Sequence, residues 1–338
     1  MTGSAAHHGQ AGGPPRRGTQ ETDIRPARPD ELETCAQVWR VAINDYIARL
    51  AQPELPDDVS NLTGLYVHLQ ATDPDRFLVA TRPDSDAPGG ERIVGFASAI
   101  VRGRLWFLSM LFILPEEQGL GLGRALLTRV LPPPDAGMSL GTATDSAQPI
   151  SNALYSMYGI VPRVPFLHLI GDVRVPDALP DLPAGVTAIP FEAIAGGQPD
   201  GAGHRELTET VGRVDLAAAG FEHPQDHRFL RTGGGGRRGF LYRDAAGRPV
   251  AYGYTSDVGR VGPVAALDSS HVAPILAHLL RAAQPRGAFA VWVPGTAGES
   301  VTMLLGAGLR LESFPLLLCW DRPVSDLTRY LPISPGLL

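Results

Sequence analysis

The chain has 338 residues and 29 basic side chains, all of them arginine, against 35 acidic ones, for a net charge of −6. The complete absence of lysine excludes Schiff-base chemistry, lysine-borne acyl groups and a phosphate loop of the G-x-x-x-x-G-K-[ST] kind. The acidic balance argues against a nucleic-acid binder held by phosphate contacts.

Length predicts about two domains of roughly 150 residues each. The bias toward Arg, Ala, Gly and Pro reads as a GC-rich genome. Cys35 and Cys319 stand alone, without C-x-x-C or Cys/His spacing, so no disulfide scaffold or metal site is expected and a reducing cytoplasm fits. No apolar run approaches the ~18 residues of a membrane-spanning helix. Residues 1–22 lack the apolar stretch of a signal peptide and are expected to be a disordered tail, with His7 and His8 solvated in it.

A first domain is expected over 23–172. IRPAR, from Ile24, reads as a short strand. Asp30 with Glu33 offers a capping-box variant, and Leu32, Cys35, Trp39, Ala42, Ile43, Tyr46 and Leu50 recur at helical spacing behind it. FLVAT from Phe77 and IVGFASAIV from Ile93 read as a hairpin. Leu105 to Leu114 reads as a buried strand, Gly119 to Val130 as a helix opened by glycines, Leu140 to Thr144 as a strand, and Pro149 to Tyr158 as a short helix stopping at Gly159. Residues 173–185, with Pro176, Pro180 and Pro183, are expected to be a linker.

The order then repeats over 186–338. Val186 to Phe191 reads as a strand and His204 to Ala219 as a helix. Phe240 to Arg243 and Pro249 to Ser256 read as a hairpin. Strands over Gly262 to Leu267 and Phe289 to Val293 alternate with helices over Ser269 to Ala282 and Ser300 to Ala307. Placing Leu140 on Phe289 brings Ser151 onto Ser300, Leu154 onto Met303 and Gly159 onto Gly308 without a gap, which points to a duplication. The fold class expected is α+β: two tandem domains, each a mixed, mostly antiparallel sheet flanked by helices.

The densest chemical signal runs from Leu111, Phe112 and Ile113 through Gln118, Gly119, Leu120, Gly121, Leu122, Gly123 and Arg124. An apolar strand enters a glycine-rich turn that opens a helix. Glycines let the backbone approach a ligand, and a helix N-terminus offers free N–H groups to a pyrophosphate.

Gln118-x-x-Gly121-x-Gly123, with Leu154-Tyr155-x-x-x-Gly159-Ile160 behind it, resembles the signature of the GNAT superfamily, the Gcn5-related N-acyltransferases. The resemblance covers roughly Ile24 to Gly171. It implies acetyl-CoA as co-substrate, with the pyrophosphate on Gln118 to Arg124. It gives Leu111 N–H to the thioester carbonyl and Ile113, with Phe112 beside it, to the pantetheine arm. It implies Tyr155 as the acid that protonates the leaving thiolate. Gln148 stands where the family has Asn; Asn152 is offered as a contact instead, and Tyr158 as a further one. Asp45, Glu54 and Ser109 are candidate bases by location only. The expected reaction is acetylation of a small-molecule amine, in bacterial secondary metabolism, by a cytoplasmic monomer or homodimer without metal, nucleic acid or membrane partners. The alternative is acetyl-CoA held as a structural ligand, with the second domain binding another acyl-CoA or a partner.

The second half lacks the motif. Gly262 to Ser270 has no glycine turn, Asp268 or Ser269 caps the next helix, and Leu304 stands where Tyr155 would. Gly233 to Gly236, followed by Arg237 and Arg238, reads as a flexible loop with a secondary reading as an anion grip. Pro224 is expected to break any helix bringing His223 and His227 together with Glu222 and Asp226, so no metal is assigned there. The apolar end, Tyr330 to Leu338, is expected to pack on its own domain or on a partner.

Overall fold

The computed structural model describes residues 22–196, 201–233 and 235–338. The tail expected over 1–22 lies outside the described residues except for Thr22, as does Gly234 of the glycine run. In chain order the elements are β1 (Asp23–Pro26), α1 (Leu32–Ala48), α2 (Ser60–Thr72), β2 (Phe77–Pro83), β3 (Glu91–Arg102), β4 (Leu105–Ile113), α3 (Leu122–Val130), β5 (Ser139–Asp145), α4 (Pro149–Ser156) and β6 (Val161–Gly171). The second half follows with β7 (Thr187–Pro190), α5 (Phe191–Ala195), α6 (Ala202–Ala218), α7 (Pro224–Thr232), β8 (Arg238–Arg243), β9 (Pro249–Thr255), β10 (Arg260–Ala266), α8 (Val272–Ala282), β11 (Phe289–Pro294), α9 (Gly298–Gly306), β12 (Arg310–Leu311), β13 (Leu316–Trp320) and β14 (Tyr330–Leu331).

The halves share one sheet of order β1-β2-β3-β4-β5-β13-β6-β11-β10-β9-β8-β7. The last long strand of each half has crossed to the other. β13 pairs with β5 of the first half, from Leu316 opposite Asp145 to Trp320 opposite Gly141. β6 pairs with β11 of the second, from Gly171 opposite Phe289 to Phe166 opposite Pro294. The two exchanged strands pair antiparallel at the centre, Leu316 opposite Phe166. Sequence pattern missed both, because Pro162 and Pro165 remove N–H donors and demote β6 to an edge strand or a loop. A register shift between Leu318 and Cys319 sits beside Pro162 and relaxes the pairing there.

Five more elements escaped the sequence pattern: α2, α5, α7, β12 and β14. α3 begins at Leu122 rather than Gly119, since the glycines form the turn before it. At the start of α1 it is Glu31, not Glu33, that folds back. Its carboxylate accepts from the Arg28 N–H (2.7 Å) and pairs with Arg25.

One face of the sheet carries a single apolar core that runs through both halves, from Leu32, Tyr66 and Phe77 to Leu207, Val211 and Tyr330. The other face carries two separate cores, one under α3 and α4 and one under α8 and α9. A buried ion network crosses the shared face. Asp226, on α7, accepts from Arg102 Nε (2.6 Å) and Nη2 (2.7 Å) and lies 2.6 Å from His68 Nε2. Arg102 also donates to Asp73 (2.8 Å). Charges this deep persist only when fully paired.

Candidate active site

β4 and β5 run parallel from Leu105 opposite Ser139 to Leu108 opposite Thr142, and then part. Beyond that point β4 is paired with β3 alone. The Leu114 N–H donates to Val94 on β3 (2.9 Å). Strand alternation then turns Phe112 and Met110 toward β3, and the N–H groups of Leu111 and Ile113 toward the gap. Ser109 is the bulge residue, left unpaired where the register shifts between Ser98 and Ala99.

The turn after β4 is anchored before it reaches the glycines. Glu117 is buried and accepts from Arg82 Nε at 2.8 Å, while Arg92 bridges to Glu116 at 3.0 Å. Gln118 spends its amide on the Ile113 carbonyl (3.0 Å), so it shapes the turn. Gly119 and Gly121 adopt φ of +78° and +83°, the left-handed region that disfavours any Cβ, and a Cβ at either would project into open space. The Ala125 N–H is the first in α3 to find a carbonyl, that of Gly121 (3.0 Å), which leaves the donors of Leu122, Gly123 and Arg124 facing outward. Gly123 faces Ile113 and Leu154, Leu120 is exposed, and Arg124 reaches Met157.

α4 supplies the other wall. Asn152 gives its amide protons to the carbonyls of Asp145 (2.9 Å) and Gln148 (2.8 Å), and its Oδ1 is buried without a partner. Tyr155 is buried in the core under α3 with Leu108, Ile113, Leu122 and Cys319, and burial pushes its phenol well up. Tyr158 lies one turn further on, its hydroxyl 3.0 Å from Thr128 Oγ1, tying α4 to α3.

Of the candidate bases, Asp45 pairs with Arg49 at the surface and Glu54 is exposed. Ser109 Oγ donates to the Gly336 carbonyl at 2.5 Å, so the last residues of the chain form a wall beside the gap. A carboxylate that the sequence reading passed over is Asp145, which ends β5 at the open side of the gap. Burial first, and then Asp145, push the neighbouring Tyr46 phenol up. Its sequence signal was a polar residue closing the strand next to the parting strands.

The corresponding junction of the second half is closed. β10 and β11 pair only at Arg260 with Ala290 and Val261 with Val291. β14 then lies against β10, Leu331 opposite Val264 and Tyr330 opposite Ala265, with Ala266 N–H donating to Arg329 O (2.9 Å). Leu304 is buried at the place of Tyr155, and Asp268 caps the following turn through the Ser270 N–H (2.9 Å).

Pro224 does not break a helix as its position suggested. It starts α7, where its missing N–H costs nothing, so His223 and His227 meet after all. With Asp215 from α6 they offer ligand-type atoms within 4.8 Å of one another, all buried. His227 Nε2 lies 2.8 Å from Asp215 Oδ2, and its Nδ1 lies 2.9 Å from the Tyr254 hydroxyl. Among the described residues no helix is long and apolar enough to cross a membrane.

A parted pair of strands, a glycine turn and an open helix N-terminus thus meet at one junction, with backbone donors facing outward. Residues 44–159 match the family model described as the acetyltransferase (GNAT) family. Among solved structures, a Pyrococcus horikoshii protein assigned provisionally to the acetyltransferases is similar at 14% identity, covering 98% of this chain and 100% of its own, with a TM-score of 0.67. A GCN5-related N-acetyltransferase from Sphaerobacter thermophilus is similar at 16% identity over 91% and 98%, with a TM-score of 0.56. A tandem GNAT protein from the clavulanic acid biosynthesis pathway is similar at 17% identity over 90% and 99%, with a TM-score of 0.50. No curated protein matches the sequence. The match over 44–159 and the shared fold support a GNAT-type acyltransferase, and the whole chain has the tandem GNAT fold.

Proposed function

We propose that this chain transfers an acetyl group from acetyl-CoA to an amine of a small molecule, and that it does so in the first half. The contrast between the two junctions carries this reading. The β4–β5 gap presents free donors and a glycine turn, whereas β14 occupies the β10–β11 gap. Each half then reads as one GNAT-like unit, 23–172 and 186–338 joined by 173–185, with the closing strands exchanged.

The residues at the gap fit acetyl-CoA. The outward N–H groups of Leu122, Gly123 and Arg124 suit the pyrophosphate, with the Arg124 guanidinium beside them. The buried Oδ1 of Asn152 lacks a donor, and a pantetheine amide N–H would supply one. The reacting carbonyl lies along β4. A neutral amine attacks it, a C–N bond forms, and the oxyanion is held by the Leu111 N–H. As the C–S bond breaks, sulfur takes the proton of Tyr155, a phenol that burial keeps protonated. Asp145, at the mouth, accepts the proton that the amine sheds. The secondary-metabolic setting rests on composition and tandem architecture, and the cytoplasmic one on two buried, unpaired cysteines.

The test is release of free CoA thiol from acetyl-CoA by purified protein across a panel of small amines. At least one amine is expected to raise the rate above background hydrolysis, with a fall of roughly tenfold or more in Tyr155→Phe. Retention of acetyl-CoA without turnover of any amine overturns the reading and makes the molecule a structural ligand.

A further inference from the structure

The second half holds a cavity of 340 Å³ beneath α5 and α6, lined by Phe191, Leu207, Arg231, Arg237, Gly239 and Tyr254. Its volume is in the range of small-molecule sites. Among the described residues no carboxylate forms an ion pair with Arg231 or Arg237, although arginines this enclosed usually have one. Among the described residues Arg231 reaches His204 Nε2 (3.4 Å) and Thr208 Oγ1 (3.5 Å) through Nη2, and its Nε and Nη1 are buried without acceptors. Desolvation lowers Arg237, and the Arg260 charge lowers it further. The acidic group at the cavity, Glu192, sits on its exposed rim.

A tyrosine complements the two cations. Tyr254 is buried, lines the cavity and lies in the field of both arginines. Its hydroxyl is 2.9 Å from His227 Nδ1, and His227 Nε2 is 2.8 Å from Asp215. Asp215 is flanked by His223 and His227, which outweigh burial and hold it ionised. Burial keeps His227 neutral, so its Nε2 proton goes to Asp215 and its Nδ1 must accept from Tyr254. Tyr254 then donates inward and keeps lone pairs for a donor in the cavity. Phe191 and Leu207 offer apolar surface for the rest of a ligand.

We propose that this cavity binds a small organic anion, its carboxylate or phosphate held by Arg231 and Arg237 and an adjacent hydroxyl or N–H donated to Tyr254. The site lies outside the acyl-transfer gap and does not depend on the function proposed for it. A hydroxy acid and a monoprotonated phosphate share this chemistry.

Calorimetric titration of the full chain separates them, with mandelate, phenylacetate and inorganic phosphate as probes at low ionic strength near pH 6. Mandelate is expected to bind more tightly than phenylacetate, which lacks the hydroxyl, and Tyr254→Phe is expected to abolish that difference. Arg237→Gln is expected to weaken either anion by about tenfold or more, the loss of one charge-assisted contact. Tighter binding of mandelate assigns a hydroxy acid, and tighter binding of phosphate a phosphate monoester. Circular dichroism checks that each variant is folded, and Arg237, just before β8, is the less buried change. Absence of binding by all three probes, or affinities unchanged in folded Arg237→Gln, overturns the proposal. Neither result touches the thiol-release assay.

Discussion

Raising the pH from 6.5 to 8.5 is expected to weaken the fold, and His223 is the reason. Its ring lies between Asp215 and Asp226, 3.4 Å and 3.5 Å away, and is fully enclosed. Burial opposes its charge, but the two carboxylates outweigh burial and raise it to about 9. In the unfolded chain an imidazole titrates near ~6.5. Between these values the native state binds a proton that the unfolded state has lost, so stability falls as pH rises. The contribution is fully present below about 6.5 and has largely gone above about 9. At about 1.36 kcal/mol per unit, the loss by pH 8.5 is roughly 2–3 kcal/mol. Stopping there keeps Cys35 and Cys319 out of play, since burial pushes both thiols up to about 12. His227 acts with the opposite sign. Burial first, and then the His223 charge, hold it low, so stability rises with pH up to about 6.5, and the two histidines together place a maximum there. Urea unfolding midpoints across pH 5.5–8.5 measure this, with His223→Gln as the reference. The parent curve is expected to fall above 6.5 and the variant curve to stay flat over the same interval. Parallel curves for the two proteins would refute the reasoning, whatever the variant's absolute stability.

Gly121→Val places a β-branched side chain at φ +83° and a methyl group in the cradle. It is expected to raise the KM for acetyl-CoA by about tenfold or more while shifting the melting temperature by only a few degrees, as steady-state kinetics and thermal melts will show. Asp145→Asn is expected to lower kcat about tenfold or more, with KM for acetyl-CoA nearly unchanged, as steady-state kinetics will show. Arg82→Met leaves Glu117 buried and short of its main partner; a loss of about 3 kcal/mol by urea unfolding is expected, and a loss below about 1 kcal/mol would make the pair incidental. The halves made separately, cut within 173–185, are expected to be insoluble alone and to recover folded protein only when co-expressed, because each lacks a central strand of its own sheet.

Most of the first half was legible because its strands are long, apolar and bounded by glycine and proline. Leu105–Ile113 and the glycine turn stood out for that reason, and the register linking Leu140 to Phe289 survived because both strands are buried and tolerate little insertion. What escaped depended on distant partners. β6 carries two prolines and finds its neighbours in the other half of the chain. α7 was hidden by a proline that reads as a breaker in sequence and as a first helical residue in space. The buried set of Asp215, Asp226, His68 and Arg102 joins four separate elements, and no local spacing encodes such a meeting. Asp145 was missed because the motif draws attention to the helix after it.

The exchanged strands also bear on how this molecule is made. The neighbour that β5 needs is encoded near the far end of the chain, at Leu316–Trp320. At about 5–20 residues per second, the ribosome delivers it some ten to thirty seconds after β5 has emerged. Throughout that interval the nascent first half exposes an unpaired strand edge beside the β4–β5 gap. Synthesis therefore finishes the open half and the sealed half together, and a chain truncated before β13 would leave the first without its completed sheet.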